Sequence, residues 1–143
     1  MQNFKISAAL FLTAFFAADV GAQEVQIQQN QLPAGISQFV RMHYSSAKIS
    51  AITREKKIRK TEYEVRLDNG TKLEFVNNKI DEIEGSQRIP NNILPAKVLR
   101  YIQTNYPNSF ATEWKMDNGR QKELNNGVEL EFDRNGRFLR IDR

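Results

Sequence analysis

The chain has 143 residues, enough for one domain of ordinary size and too few for a large multidomain enzyme. Hydrophobic residues at 40% and charged residues at 27%, with only 7 Gly and 4 Pro, describe a chain able to bury a core and exclude the disordered and fibrous classes. A formal charge of +4, no Cys and a single His exclude disulfide scaffolds, zinc-thiolate and iron–sulfur sites, cysteine nucleophiles and most histidine chemistry.

At the start, Lys5 supplies a positive charge, Ile6 to Phe16 is a nearly unbroken apolar run, and Val20-Gly21-Ala22 offers small or modest residues where signal peptidase cuts. The pattern predicts an export signal over residues 1–22, cleaved near Ala22. A membrane anchor needs about 20 consecutive apolar residues, and this run ends before Asp19. The product is expected to be periplasmic or secreted, with no transmembrane segment and no contact with nucleic acid.

A pattern then occurs twice. Leu32-Pro33-Ala34-x-Ile36-x-x-Phe39-Val40-x-x-x-Tyr44 returns 62 residues later as Leu94-Pro95-Ala96-x-Val98-x-x-Tyr101-Ile102-x-x-x-Tyr106. Asn69-Gly70-x-x-Leu73-Glu74-Phe75 likewise returns as Asn126-Gly127-x-x-Leu130-Glu131-Phe132. The chain reads as a tandem duplication with units at 23–86 and 87–143. Units this small bury too little surface to stand comfortably alone, so the two are expected to share a core or a continuous sheet in one compact body.

Each unit begins with a predicted helix. Pro33 and Pro95 suit a first helical turn, and the apolar residues after each recur at the spacing of one helical face. Strands follow, because Tyr63, Val65 and Leu67 alternate with Glu62, Glu64 and Arg66, as do Leu73 and Phe75 with Lys72 and Glu74, and Val128, Leu130 and Phe132 with Glu129 and Glu131. Asn-Gly pairs at 69–70, 118–119, 126–127 and 135–136, with Asn77-Asn78 at a further turn, predict tight hairpins and therefore an antiparallel sheet. The stretches 48–55 and 110–116 complete a helix and four strands per unit, with a polar break at 85–92 between them.

Few residues invite chemistry. His43 stands one turn beyond Phe39 and corresponds to Asn105 in the second unit, which suits a polar helix edge better than catalysis. Asp133-Arg134-Asn135-Gly136 and Asp117-x-x-x-x-Gln121 gather oxygen atoms but lack a calcium loop and its terminal Glu, and hairpin turns explain them. No catalytic, metal or cofactor residue is assigned. Two surfaces remain as candidates. One is the charged sheet face, with Glu62, Glu64, Arg66, Lys72, Glu74, Glu129 and Glu131, as a solvated surface or a docking platform. Trp114 joins it if its strand faces solvent and belongs to the core otherwise. The other is the basic cluster Arg54, Lys56, Lys57, Arg59 and Lys60, read as a hairpin tip or as a site for an anionic ligand.

The repeated Leu-Pro helix followed by Tyr63-x-Val65-x-Leu67-x-Asn69-Gly70-x-x-Leu73-x-Phe75 resembles the PepSY-like family of exported bacterial proteins, also described as beta-lactamase-inhibitor-like. In the second unit Arg120-Gln-Lys122-Glu-Leu124 replaces the Tyr-x-Val-x-Leu strand. The resemblance implies an α+β fold in which each helix crosses a four-stranded antiparallel sheet, the two sheets lying side by side as in beta-lactamase inhibitor protein. It also implies a non-enzymatic periplasmic role of binding or regulation, the partner being another exported protein such as a hydrolase. The alternative is a binder of a small ligand or anionic envelope polymer through the basic cluster. Pairing of two copies through an open sheet edge is left open.

Overall fold

The computed structural model describes residues 23–116 and 120–142, with the backbone alone at 120–122. The expected export signal over residues 1–22 and the pair Asn118-Gly119 lie outside them. The elements in chain order are β1 (Glu24–Gln26), a 3-10 turn (Gln29–Gln31), α1 (Ala34–His43), β2 (Ile49–Lys56), β3 (Thr61–Leu67), β4 (Lys72–Val76) and β5 (Lys79–Glu84). Then come α2 (Ala96–Asn105), β6 (Ala111–Lys115), β7 (Arg120–Leu124), β8 (Glu129–Phe132) and β9 (Phe138–Asp142).

The two helices start alike. Pro33 and Pro95 sit at the N-caps with nearly identical backbone angles (φ −54°, ψ 140° and φ −55°, ψ 138°) and so immediately precede the helices. Each helix ends on a tyrosine whose amide donates to a carbonyl one turn back, Tyr44 to Val40 and Tyr106 to Ile102, both at 2.8 Å. The i, i+4 pairs Ile36/Val40 and Val98/Ile102 are buried, so each helix, about 15 Å long, lies on the sheet along the stripe its sequence predicts.

All nine strands form one antiparallel sheet in sequential order. The halves thus share a continuous sheet, as expected, although it has nine strands and is not divided into two four-stranded sheets side by side. β5 and β6 are hydrogen-bonded through the register Glu82↔Lys115 and Ile83↔Trp114, which fuses the halves. β1, which the sequence reading does not foresee, explains the joint: it pairs with β2 across α1 as β5 pairs with β6 across α2. Thus β5 serves both units, and β1 fills its place at the open end.

One face of the sheet carries the core. The row Ile52–Val65–Leu73–Ile83–Trp114 runs across five strands in register, each member buried. Phe39 of α1 meets Phe75 edge-on at 5.4 Å, and Tyr101 of α2 meets Phe132 edge-on at 5.5 Å and stacks on Phe138 at 4.4 Å. Both helices therefore cover the same face, and one hydrophobic cluster joins the halves. The polar break between the units also contributes, since Ile89 is buried and its amide donates to the Ala111 carbonyl at 2.9 Å. The departing strand β7 pairs on both sides and buries Leu124 despite its polar sequence.

Candidate functional site

Alternation along each strand sends the residues between the core positions to the opposite face, on which no helix among the described residues packs. Register turns these residues into ladders across the sheet. One runs Thr53–Glu64–Glu74–Glu82–Lys115. A second is Glu24–Glu55–Glu62. A third is Glu113–Glu123–Glu129–Asp142, four carboxylates on four successive strands. The helices, by contrast, carry Arg41, His43, Lys97 and Arg100 and no acid. A chain of net positive charge has thus sorted most of its carboxylates onto one side.

In the first half these acids are matched. Arg66 Nε lies 2.6 Å from Glu64, Lys72 Nζ 3.0 Å from Glu74 and in contact with Glu84, and Lys115 Nζ 3.7 Å from Glu82. Burial alone would depress the Lys72 ammonium, but hydrogen bonds to Glu84 and Glu74 outweigh it and its pKa is raised. At the β2–β3 tip Lys57 bridges Glu55 (3.1 Å) and Glu62 (2.6 Å), and Lys60 reaches Glu62 at 2.5 Å. Hydrogen bonds from Lys57 and then Lys60 hold the Glu62 carboxyl below its ordinary range. A shallow depression of about 240 Å³ lies beside this network, bounded by Thr53, Glu55, Glu62, Glu64 and Glu74.

The third ladder is different. Among the residues whose side chains are described no cation comes within ion-pair distance of Glu113, Glu123, Glu129 or Asp142, whereas Glu131 on the neighbouring row has Arg140 at 2.6 Å. Like charges directly opposite in a sheet are destabilising. Glu113 answers by holding its proton: partial burial first, then the charge of Glu123 and a hydrogen bond with it, push its pKa up to about 7. Glu82, one row away, is also raised, by burial and then by the charge of Glu74.

Of the residues singled out by sequence, Glu62, Glu64, Arg66, Lys72, Glu74, Glu129 and Glu131 do share the open face. Trp114 does not, because it stands in register with Ile83, is 6% exposed and belongs to the core. Arg54, Lys56, Lys57, Arg59 and Lys60 surround the β2–β3 tip as expected, with Ile58 fully exposed between them. The sequence reading passes over Glu82, Glu84, Glu113, Glu123 and Asp142, the most consequential acids. The signal was present, since Glu113 alternates with Trp114, Glu82 and Glu84 flank Ile83, and Glu123 precedes Leu124.

His43 ends α1 with its ring 4.5 Å from that of Phe39. Asp133 accepts the amides of Asn135 and Arg137, both at 2.9 Å, through one carboxylate oxygen, which makes it the brace of a hairpin turn. Its partner in the calcium reading, Asp117, lies outside the described residues. Among the described residues no group of three or more His, Asp or Glu is arranged to hold a metal ion. No helix among them is long and apolar enough to cross a membrane.

A duplicated helix-on-sheet body with one open, charged face places the chain among α+β proteins. The chain belongs to the family described as "Putative beta-lactamase-inhibitor-like, PepSY-like", which matches residues 18–80 and 61–140. Two solved structures from Bacteroides resemble it. A "putative calcium-regulated periplasmic protein" from Bacteroides thetaiotaomicron is 30% identical, with a TM-score of 0.78 over 84% of this chain and 97% of its own. A "putative periplasmic protein from DUF2874 family" from Bacteroides vulgatus is 28% identical, with a TM-score of 0.78 over 89% of this chain and 99% of its own. Among curated proteins no sequence matches.

Proposed function

We propose that the protein is a non-enzymatic exported binding module that docks another exported protein on its open sheet face, and that the docked surface is cationic. The observation that carries this is the ladder Glu113–Glu123–Glu129–Asp142, where four carboxylates face one another with no matching cation among the side chains described. A sheet that serves only as scaffold gains nothing from this arrangement. One that receives lysine and arginine side chains gains partner, orientation and association rate from it. The periplasmic descriptions of the similar structures support the compartment.

The test is affinity capture from an envelope extract with the full mature chain and with the triple variant E113Q/E123Q/E129Q, which keeps side-chain shape and removes charge. A partner of basic surface retained by the wild type and lost by the variant is the expected result. Equal recovery of every partner contradicts the reading. Elution by calcium at an ionic strength where sodium chloride does not elute would instead assign the ladder to a metal ion, in keeping with the description of the Bacteroides thetaiotaomicron relative.

A second reading rests on the β2–β3 tip, where Ile58 stands fully exposed in a run rich in Lys and Arg. Such a tip suits an anionic envelope polymer. Salt-sensitive retention on a sulfated polysaccharide resin, abolished by K56Q/R59Q, is its expected signature; retention unaffected by that change rules it out.

A further inference from the structure

On the opposite side of the molecule, a hollow of about 380 Å³ opens where the C-terminal half of α1 meets the start of β2. Its walls are apolar at Val40, Ala47 and Ile49, its rim carries Arg41 and Lys48, and no carboxylate lines it. Tyr44 contributes to the lining, is 6% exposed, and has a buried hydroxyl with no hydrogen-bond partner. An unmet hydroxyl at such depth costs stability unless something accepts from it.

The duplication provides an internal control. At the corresponding positions of the second unit Ser37, Arg41, Ser45 and Lys48 become Leu99, Gln103, Pro107 and Phe110, while the tyrosine stays as Tyr106. Helix and tyrosine are thus common to both halves, as the matching Tyr44 and Tyr106 amide bonds attest. The two cations belong to the first half alone, and the fold of the second half does without them. Phe110 instead lies under the Arg88 guanidinium at 4.4 Å. The first hollow therefore carries polar chemistry that its fold does not require.

We propose that this hollow binds a small organic acid with an apolar body. Its carboxylate sits between Arg41 and Lys48, and its hydrocarbon part lies on Val40, Ala47 and Ile49. The geometry asks for one negative charge, because two cations and no acid face the opening, and for an apolar tail short enough for the volume. This site is separate from the carboxylate face, and neither reading depends on the other.

Octanoate is the probe, with 1-octanol and octylamine as controls, and binding is followed by calorimetry and by NMR shifts of the full mature chain. Saturable binding of octanoate in the millimolar range or tighter is expected, with neither control bound. R41Q/K48Q should weaken binding about tenfold or more, whereas Tyr44→Phe, which removes the unmet buried hydroxyl, should leave binding unchanged and raise the thermal midpoint of the ligand-free protein. Absence of saturable octanoate binding, equal binding of 1-octanol, or affinity unchanged in R41Q/K48Q overturns the proposal. NMR shifts confined to residues away from α1 and β2 overturn it as well.

Discussion

Glu113 is the residue at which folding and function pull apart. In the folded protein its pKa is pushed up to about 7, chiefly by partial burial and by the facing Glu123, whereas an unfolded glutamate titrates near its ordinary value of about 4.3. A raised carboxyl favours the folded state while both forms hold the proton and loses that advantage as pH climbs through the folded value. Stability should therefore fall between about pH 4.5 and pH 7. Solvent screening keeps the loss to about 1 kcal/mol. Urea unfolding across this window checks it, and Glu113→Gln should flatten the dependence and leave the protein more stable than wild type at pH 8. A stabilising loss of charge is the usual sign of a residue kept for binding rather than for folding. The sequence already contained Glu113, but only the register places it opposite Glu123, and register is not legible from one strand's pattern.

Among the elements, those with strong periodicity were legible. Both helices and the strands with alternating Val, Leu and Phe stand where their residues predict, because apolar spacing decides which face is buried and thereby the element. β1 was not legible: Glu24-Val25-Gln26 is too short to show alternation, and it becomes a strand only because β2 offers an edge after α1 turns the chain back. The same duplicated logic makes β5 shared, which a count of four strands per unit could not reveal. Turns repeat the lesson at finer scale. Asn77 and Asn78 both take positive φ (49° and 67°), as a tight hairpin demands. Gly136 does so at φ +76° with a second constraint, since a Cβ there would lie 3.3 Å from the Lys97 Cβ and 3.5 Å from a Val98 methyl. Gly136→Ala should accordingly cost about 1–3 kcal/mol, measured by chemical denaturation, and should loosen the β8–β9 turn from α2. Glycine-to-alanine replacement at Gly35, where α1 leaves open space around the backbone, should instead be neutral or stabilising.

At the scale of the whole molecule, one sheet and one core bind the halves into a single folding unit, and Trp114 is placed to report it. The sole tryptophan lies in β6, one register step from Ile83 of the shared strand. Leu73→Ala, in the first half, removes a fully buried side chain and should cost about 2–5 kcal/mol. The Trp114 fluorescence transition should shift with the circular-dichroism transition by the same amount, as two-state unfolding requires; a shift confined to one probe would mean that the halves unfold separately. The same slab divides charge between its faces, acids on the bare sheet and cations on the helices, and a partner recognised by charge would meet the bare side. Carbodiimide footprinting of carboxylates in the captured complex, with acetic anhydride labelling of lysines in parallel, tests this most directly. Amidation of Glu113, Glu123 and Glu129 should slow on complex formation while the lysines of the helix side keep their reactivity. Protection confined to the helix side, with those three carboxylates modified as fast as in the free protein, would contradict it.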